Sequence, residues 1–147
     1  MSARLSAALR ELVQQRAARR CEYCLLHEED AAIFSHEVDH VVARKHRGEL
    51  TAGNLAFSCF ACNSFKGSDI ASIDIETGRV VRLFNPRRDK WSKHFRFEDG
   101  RIIPLTAKGR VTEYLLQFNL TKSVQARQNL AAAGRYPREG PRETISR

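Results

Sequence analysis

Two C-x-x-C pairs, Cys21/Cys24 and Cys59/Cys62, stand 34 residues apart (25–58) and constrain this chain more than any other feature. In a reducing compartment disulfides are disfavoured, and two such pairs read as one tetrahedral zinc site. A redox-active C-x-x-C needs only one pair and a thioredoxin-like βαβ pattern, which the sequence lacks. The gap also exceeds that of a simple zinc ribbon, so more than a turn must fold between the pairs. The reducing compartment is itself an expectation. No apolar run approaches the roughly 20 residues that span a bilayer, so no membrane is expected as partner. The N-terminal stretch carries arginines throughout and lacks a continuous apolar segment, so it does not read as a secretory signal. The cytoplasm is the expected location.

The 147 residues, 42% hydrophobic and 29% charged, suit one folded domain rather than a disordered chain. We expect it to run over residues 1–136, with a core at 16–70 and an extension at 71–136. The polar, Pro- and Gly-bearing stretch 137–147 reads as a disordered tail. With 25 Lys and Arg against 17 Asp and Glu, the net charge of +8 suits a polyanionic partner. Charge alone does not separate that reading from a surface kept soluble by cations.

Leu5, Leu9, Leu12 and Val13 recur at helical spacing within 4–19. A strand is expected over Ile33–Val42, a basic turn-rich loop over 44–54, and a short apolar stretch over Leu55–Ser58. A short helix at 60–67 would close at Gly67. Hairpins follow at 73–84, turning at Glu76-Thr77-Gly78, and at 95–105, turning at Asp99-Gly100. Helical spacing returns at 107–118 and 122–133. The fold class is α+β, with residues 38–67 forming strand, loop, strand and helix.

Chemistry concentrates there. A strand ending in Asp39-His40 sets a carboxylate and an imidazole side by side at its rim, and Asn63 on the next helix can face them. Carboxylate and amide oxygens suit hard Mg²⁺ or Mn²⁺, and a neutral His beside such an ion can take a proton from water. By alternation Glu37 shares a face with Asp39, as an extra ligand or as an exposed carboxylate.

With its CEYC at 21–24, VDHVV at 38–42, NL at 54–55 and CFACNSFKG at 59–67, the chain resembles the HNH endonucleases of ββα-metal fold, in their four-cysteine subgroup. The resemblance extends from about Arg16 to Phe118, including NPRRDKW and HFRF. It implies DNA hydrolysis with His40 as general base and Asp39 and Asn63 as ligands of the catalytic Mg²⁺ or Mn²⁺. Asn54 would hold the loop and orient the His40 ring through a backbone carbonyl. Cys21, Cys24, Cys59 and Cys62 would bind a structural Zn²⁺. The chain departs from the usual pattern in having Asn63 where many members have His, and one glycine in RKHRGE where relatives often have two.

Arg44, Lys45, His46, Lys66, Arg87 and Arg88 are the expected nucleic-acid contacts, each weighed against a solvated or helix-capping role, while Trp91 and His94 are expected in the core. One ion serves one strand, so a monomer would nick, and a double-strand break would need a second copy on the DNA. No helix with spaced base-reading side chains is evident, so low sequence specificity is expected. Two rivals keep the cysteines and the charge: a non-catalytic zinc-knuckle module that binds nucleic acid, and an interaction module for an acidic protein. Neither needs Asp39, His40, Asn54 and Asn63 together.

Overall fold

The computed structural model describes residues 4–141. Helix α1 (Ala7–Arg16) begins at Ser6, whose hydroxyl accepts from the Leu9 amide at 3.1 Å. Leu5, Leu9 and Val13 line one face, whereas Leu12, expected on that stripe, is half-exposed. Strands β1 (Glu37–His40) and β2 (Leu55–Ser58) pair antiparallel, with His40 opposite Leu55 and Asp39 opposite Ala56. Side chains alternate faces along a strand. Val38, Leu55 and Phe57 therefore pack on Val13 and Ala17 at the α1 side. Glu37 and Asp39 point the other way, to Asn63 and Lys66 of helix α2 (Phe60–Lys66).

Strand β1 is shorter than the strand expected over Ile33–Val42. Its partner β2 has only four residues, so the ladder has nothing to pair with upstream, and Ile33 and Phe34 are exposed there. The loop between β1 and β2 carries two 3-10 turns, Arg44–His46 and Ala52–Asn54. Of its two glycines Gly48 is the constrained one: a Cβ there would overlap the Val42 carbonyl oxygen, whereas Gly53 has open space around it.

Beyond α2 come the hairpins β3 (Ala71–Ile73)–β4 (Val80–Arg82) and β5 (Phe95–Glu98)–β6 (Arg101–Pro104), with helix α3 (Trp91–His94) between them. Helices α4 (Ala107–Leu116) and α5 (Thr121–Ala132) follow. The Asp99-Gly100 turn has φ of 48° and 80°, the pair of positive values a type I′ hairpin requires. The first hairpin ends its ladder at Ile73, earlier than the sequence suggested. Buried Asp74 accepts from Arg110 at 2.9 and 3.0 Å and from Thr77, which fixes the turn at that point.

Two-stranded hairpins are marginal alone, and here a shared core holds them. Tyr23, Phe84, Phe95, Ile102, Val111, Leu116 and Phe118 pack with the four cysteines. Phe95 sits at its centre, its ring 5.1 Å from Trp91, 5.5 Å from Phe84 and 5.6 Å from Phe118. Two buried polar groups tie the extension to the first cysteine pair: Trp91 Nε1 donates to the Tyr23 carbonyl at 2.8 Å, and the Tyr136 hydroxyl donates to the Cys24 carbonyl at 2.7 Å. Within the segment 137–147 expected as tail, Arg138 is tied to the body of the chain. Arg138 pairs with Glu29 and Asp30 at 3.1 and 3.2 Å, and its carbonyl accepts from Arg20 at 2.9 Å. The rest of that segment, 142–147, lies outside the described residues. No helix among the described residues is long and apolar enough to cross a membrane.

His94 lies in this core as expected, its Nδ1 2.6 Å from Thr106 Oγ1 and its ring edge-on to Phe84. Burial pushes its pKa below the ordinary histidine range. The unfolded chain then takes up the proton first as pH falls, so stability declines from about pH 6.5. Urea unfolding of metal-loaded protein at intervals between about pH 7.5 and 6 should show this loss, with a shallower slope in His94→Gln. Parallel slopes would contradict the assignment.

Candidate active site

The four cysteines converge. Their sulfurs all lie within 4.8 Å of one another, and Cys24 Sγ is 3.7 Å from Cys59 Sγ. A tetrahedral ion with metal–sulfur bonds of about 2.3 Å sets its sulfurs roughly 3.8 Å apart, so the donor set fits one ion. Backbone amides reinforce the arrangement: Cys24 N–H points at Cys21 Sγ at 3.5 Å, and Cys62 N–H at Cys59 Sγ at 3.4 Å. The second of these contacts also caps α2, since Cys59 is its N-cap residue. The first turn of the helix is therefore built on the metal site. All four thiols are buried, and they are positioned to bind a metal ion.

Next to this cluster, the C-terminal end of β1 meets α2 over an open pocket of about 410 Å³ bordered by Asp39, His40, Ala43, Arg44, Asn63 and Gly67. Asp39, His40 and Asn63 thus share one pocket. Asp39 is buried, and both of its short contacts fall on Oδ2: the Tyr23 hydroxyl donates at 3.1 Å, and Lys66 Nζ stands at 3.1 Å. Burial raises the pKa of this carboxyl, opposed by the Lys66 charge and by the bonds from Lys66 and Tyr23. Tyr23 is driven well above its usual value, first by burial and then by Asp39. His40 Nε2 is buried without a hydrogen-bond partner. By register His40 lies on the Leu55 face of β1, so it and Asp39 approach the strand end from opposite sides.

Asn63 donates from Nδ2 to Glu37 Oε2 at 2.7 Å. Glu37 is the exposed carboxylate that one of its two readings expected, and through this bond it holds Asn63. Asn54 secures the loop. Its Oδ1 accepts from Val42 N at 2.9 Å, and its Nδ2 donates to the carbonyls of Val42 and Glu49 at 3.0 and 2.9 Å. The Asn54 carbonyl accepts from Val41 N at 2.9 Å, which carries the strand pairing one residue past His40 and Leu55.

The six expected nucleic-acid contacts divide. Arg44, Lys45 and His46 form an exposed 3-10 turn at or beside the pocket, and Arg88 lines a separate cleft. Lys66 and Arg87 are instead taken into the fold. Lys66 is 2% exposed, between Asp39 Oδ2 and the His40 carbonyl, while Arg87 pairs with Glu22. Both side chains carry long apolar stems that can be buried with the charged end held by an internal carboxylate, Asp39 for Lys66 and Glu22 for Arg87. Tyr23 carried no sequence signal beyond its place inside the first cysteine pair. His36 likewise is buried, its Nε2 2.8 Å from the Leu26 carbonyl, and supports the strand rather than the pocket.

Residues 21–69 match the family model described as HNH endonuclease. That span holds both cysteine pairs, β1, β2, α2 and every residue around the pocket. The fold is α+β, with small antiparallel hairpins, and its β1–β2–α2 unit suits the ββα-metal arrangement. Searches among curated proteins and among solved structures gave no match.

Removing Lys66 strands a buried carboxylate, so Lys66→Ala should cost about 3–5 kcal/mol in denaturant unfolding. A surface phosphate contact would move stability by only about 0.5 kcal/mol, and that smaller result would return Lys66 to the nucleic-acid face.

Proposed function

We propose that this chain is a metal-dependent endonuclease that hydrolyses DNA phosphodiester bonds, a His-Asn-Asn variant of the HNH type. The observation that carries the reading is the shared pocket of Asp39, His40 and Asn63 beside a four-cysteine metal cluster. The match of residues 21–69 to a nuclease family weighs against a binding module without catalysis. In this reading the cysteines hold structural Zn²⁺, which fits an all-thiolate donor set.

The oxygens at the pocket fit a hard cation. The Asn63 amide nitrogen is held by Glu37, which turns the amide oxygen the other way, and Asp39 Oδ1 carries neither of the two bonds made by its neighbour Oδ2. Asp39 and Asn63 would hold Mg²⁺ or Mn²⁺, which supplies charge stabilisation at the phosphate and the departing 3′-oxygen. Asn63 makes Zn²⁺ or Ni²⁺ less suitable there than an imidazole would.

His40 takes the proton from the attacking water at a ring nitrogen, and its Nε2 makes no hydrogen bond within the chain. His40 and the Asp39 side chain leave the strand on opposite faces, so a phosphate bound over the strand end would have the base on one side and the carboxylate that would hold the ion on the other. In-line displacement requires that separation of nucleophile and leaving group. Glu37 and Asn54 act as positioning residues, the first on Asn63 and the second on the loop. Arg44, Lys45 and His46 contact the phosphate backbone beside the cut. Lys66 offsets the charge of Asp39. A monomer with one such pocket nicks one strand at a time, with low sequence specificity.

Plasmid nicking in Mg²⁺ or Mn²⁺ tests the proposal. His40→Ala should lower the rate by about 10²–10⁴ while leaving DNA binding intact. Asn63→Ala should lose comparable activity, and Asn63→Asp should restore part of it. If wild type and His40→Ala bind equally and neither cuts, the enzyme reading is wrong.

A further inference from the structure

A second concavity, of about 780 Å³, opens between the end of α1, the first cysteine pair and the segment leading into α3. Its rim carries six cationic side chains, Arg16, Arg20, Arg87, Arg88, Lys90 and Lys93, against two carboxylates, Glu22 and Asp89. Neither carboxylate is free to neutralise Arg88, Lys90 or Lys93. Glu22 is taken by Arg87, and Asp89 pairs with Lys108 at 3.0 Å. Arg16 and Arg87 each keep a buried Nε with no hydrogen-bond partner. Burial and the nearby Arg87 charge both press the Arg16 pKa downward, a sign of cations held close together. An enclosure with this surplus of positive charge is matched by an anion.

The cleft also adjoins the catalytic pocket through one loop. Gly53 lines the cleft, while Ala43 and Arg44, at the other end of that loop, line the pocket. Arg16 donates to the carbonyls of Ala52 at 2.9 Å and Leu55 at 2.7 Å, and Leu55 is the register partner of His40.

We infer that this cleft is a second phosphate-binding site, which takes the nucleic-acid backbone away from the scissile position and carries it along the 43–54 loop toward His40. The inference rests on the nuclease reading for its choice of polyanion. Arg88, Lys90 and Lys93 supply the contacts, since Arg87 is committed to Glu22. Trp91, on the same rim, donates its ring nitrogen inward to Tyr23 and serves as wall rather than as a base-stacking surface.

Anisotropy of a labelled DNA duplex, measured across a salt series, tests the cleft with every protein in a His40→Ala background so that nothing is cut. The triple change Arg88→Gln, Lys90→Gln, Lys93→Gln should reduce the slope of log K against log salt by about 2–3 and weaken binding at least about tenfold near 0.1 M salt. A control triple on the hairpins, Arg79→Gln, Arg82→Gln, Arg96→Gln, removes the same charge and should shift the slope by less than about 1. Equal losses in the two triples, or no loss in the first, overturn the cleft. A chain that binds with the predicted slope but fails to nick with His40 restored keeps the cleft and loses the nuclease reading. One that nicks while the cleft triple keeps its full slope does the reverse.

Discussion

Four sulfurs drawn to one point hold this molecule's two halves together. Cys21 and Cys24 sit in the turn after α1, Cys59 and Cys62 in the first turn of α2, and their ligand atoms gather within 4.8 Å. A strand–loop–strand–helix unit of this size buries too little apolar surface to order itself, and metal binding to such a unit contributes folding free energy directly. The cluster here does more than close that unit. It lies in the main core with Phe84, Phe95 and Phe118, so the C-terminal extension forms a wall around it. Trp91 and Tyr136 reach in from that wall to the Tyr23 and Cys24 carbonyls.

The pocket inherits its geometry from the same clamp. Tyr23, between the first two cysteines, places its hydroxyl on Asp39; Asn63 directly follows Cys62, and Lys66 lies one turn further along α2. Three residues that meet at the end of β1 are therefore set by the metal site within a few bonds. The charge arrangement follows. Asp39 is buried enough for its carboxyl to resist ionisation, and Lys66 and Tyr23 counter that tendency without occupying Oδ1. A divalent cation would add a larger opposing charge at the same carboxylate.

What could be read from the sequence was whatever is local in the chain. The cysteine spacing, the Asp-His step, the Asp99-Gly100 turn and the helices at 107–116 and 121–132 all express short-range rules of spacing, alternation and turn geometry. The β1 boundary was less legible, because the length of a ladder is set by its partner and β2 is short. The burial of Lys66 and the pairing of Arg87 were illegible for a related reason. A cation's exposure depends on what folds over it, and the carboxylates that receive them lie far away in sequence, at Asp39 and Glu22. Asn54 fastens the loop through the backbone of Val42 and the Glu49 carbonyl, partners that only the folded loop brings within reach. The polar composition after Tyr136 gives no sign that Arg138 pairs with Glu29 and Asp30, because those partners lie far away in the chain.

The central claim is that one tetrahedral ion on four thiolates organises both the core and the pocket. X-ray absorption at the zinc edge of the purified full chain addresses it most directly. The account predicts a first shell of four sulfurs at about 2.3 Å with no oxygen or nitrogen scatterer. A mixed shell, or a folded chain with no bound zinc and its cysteines oxidised in pairs, would contradict it.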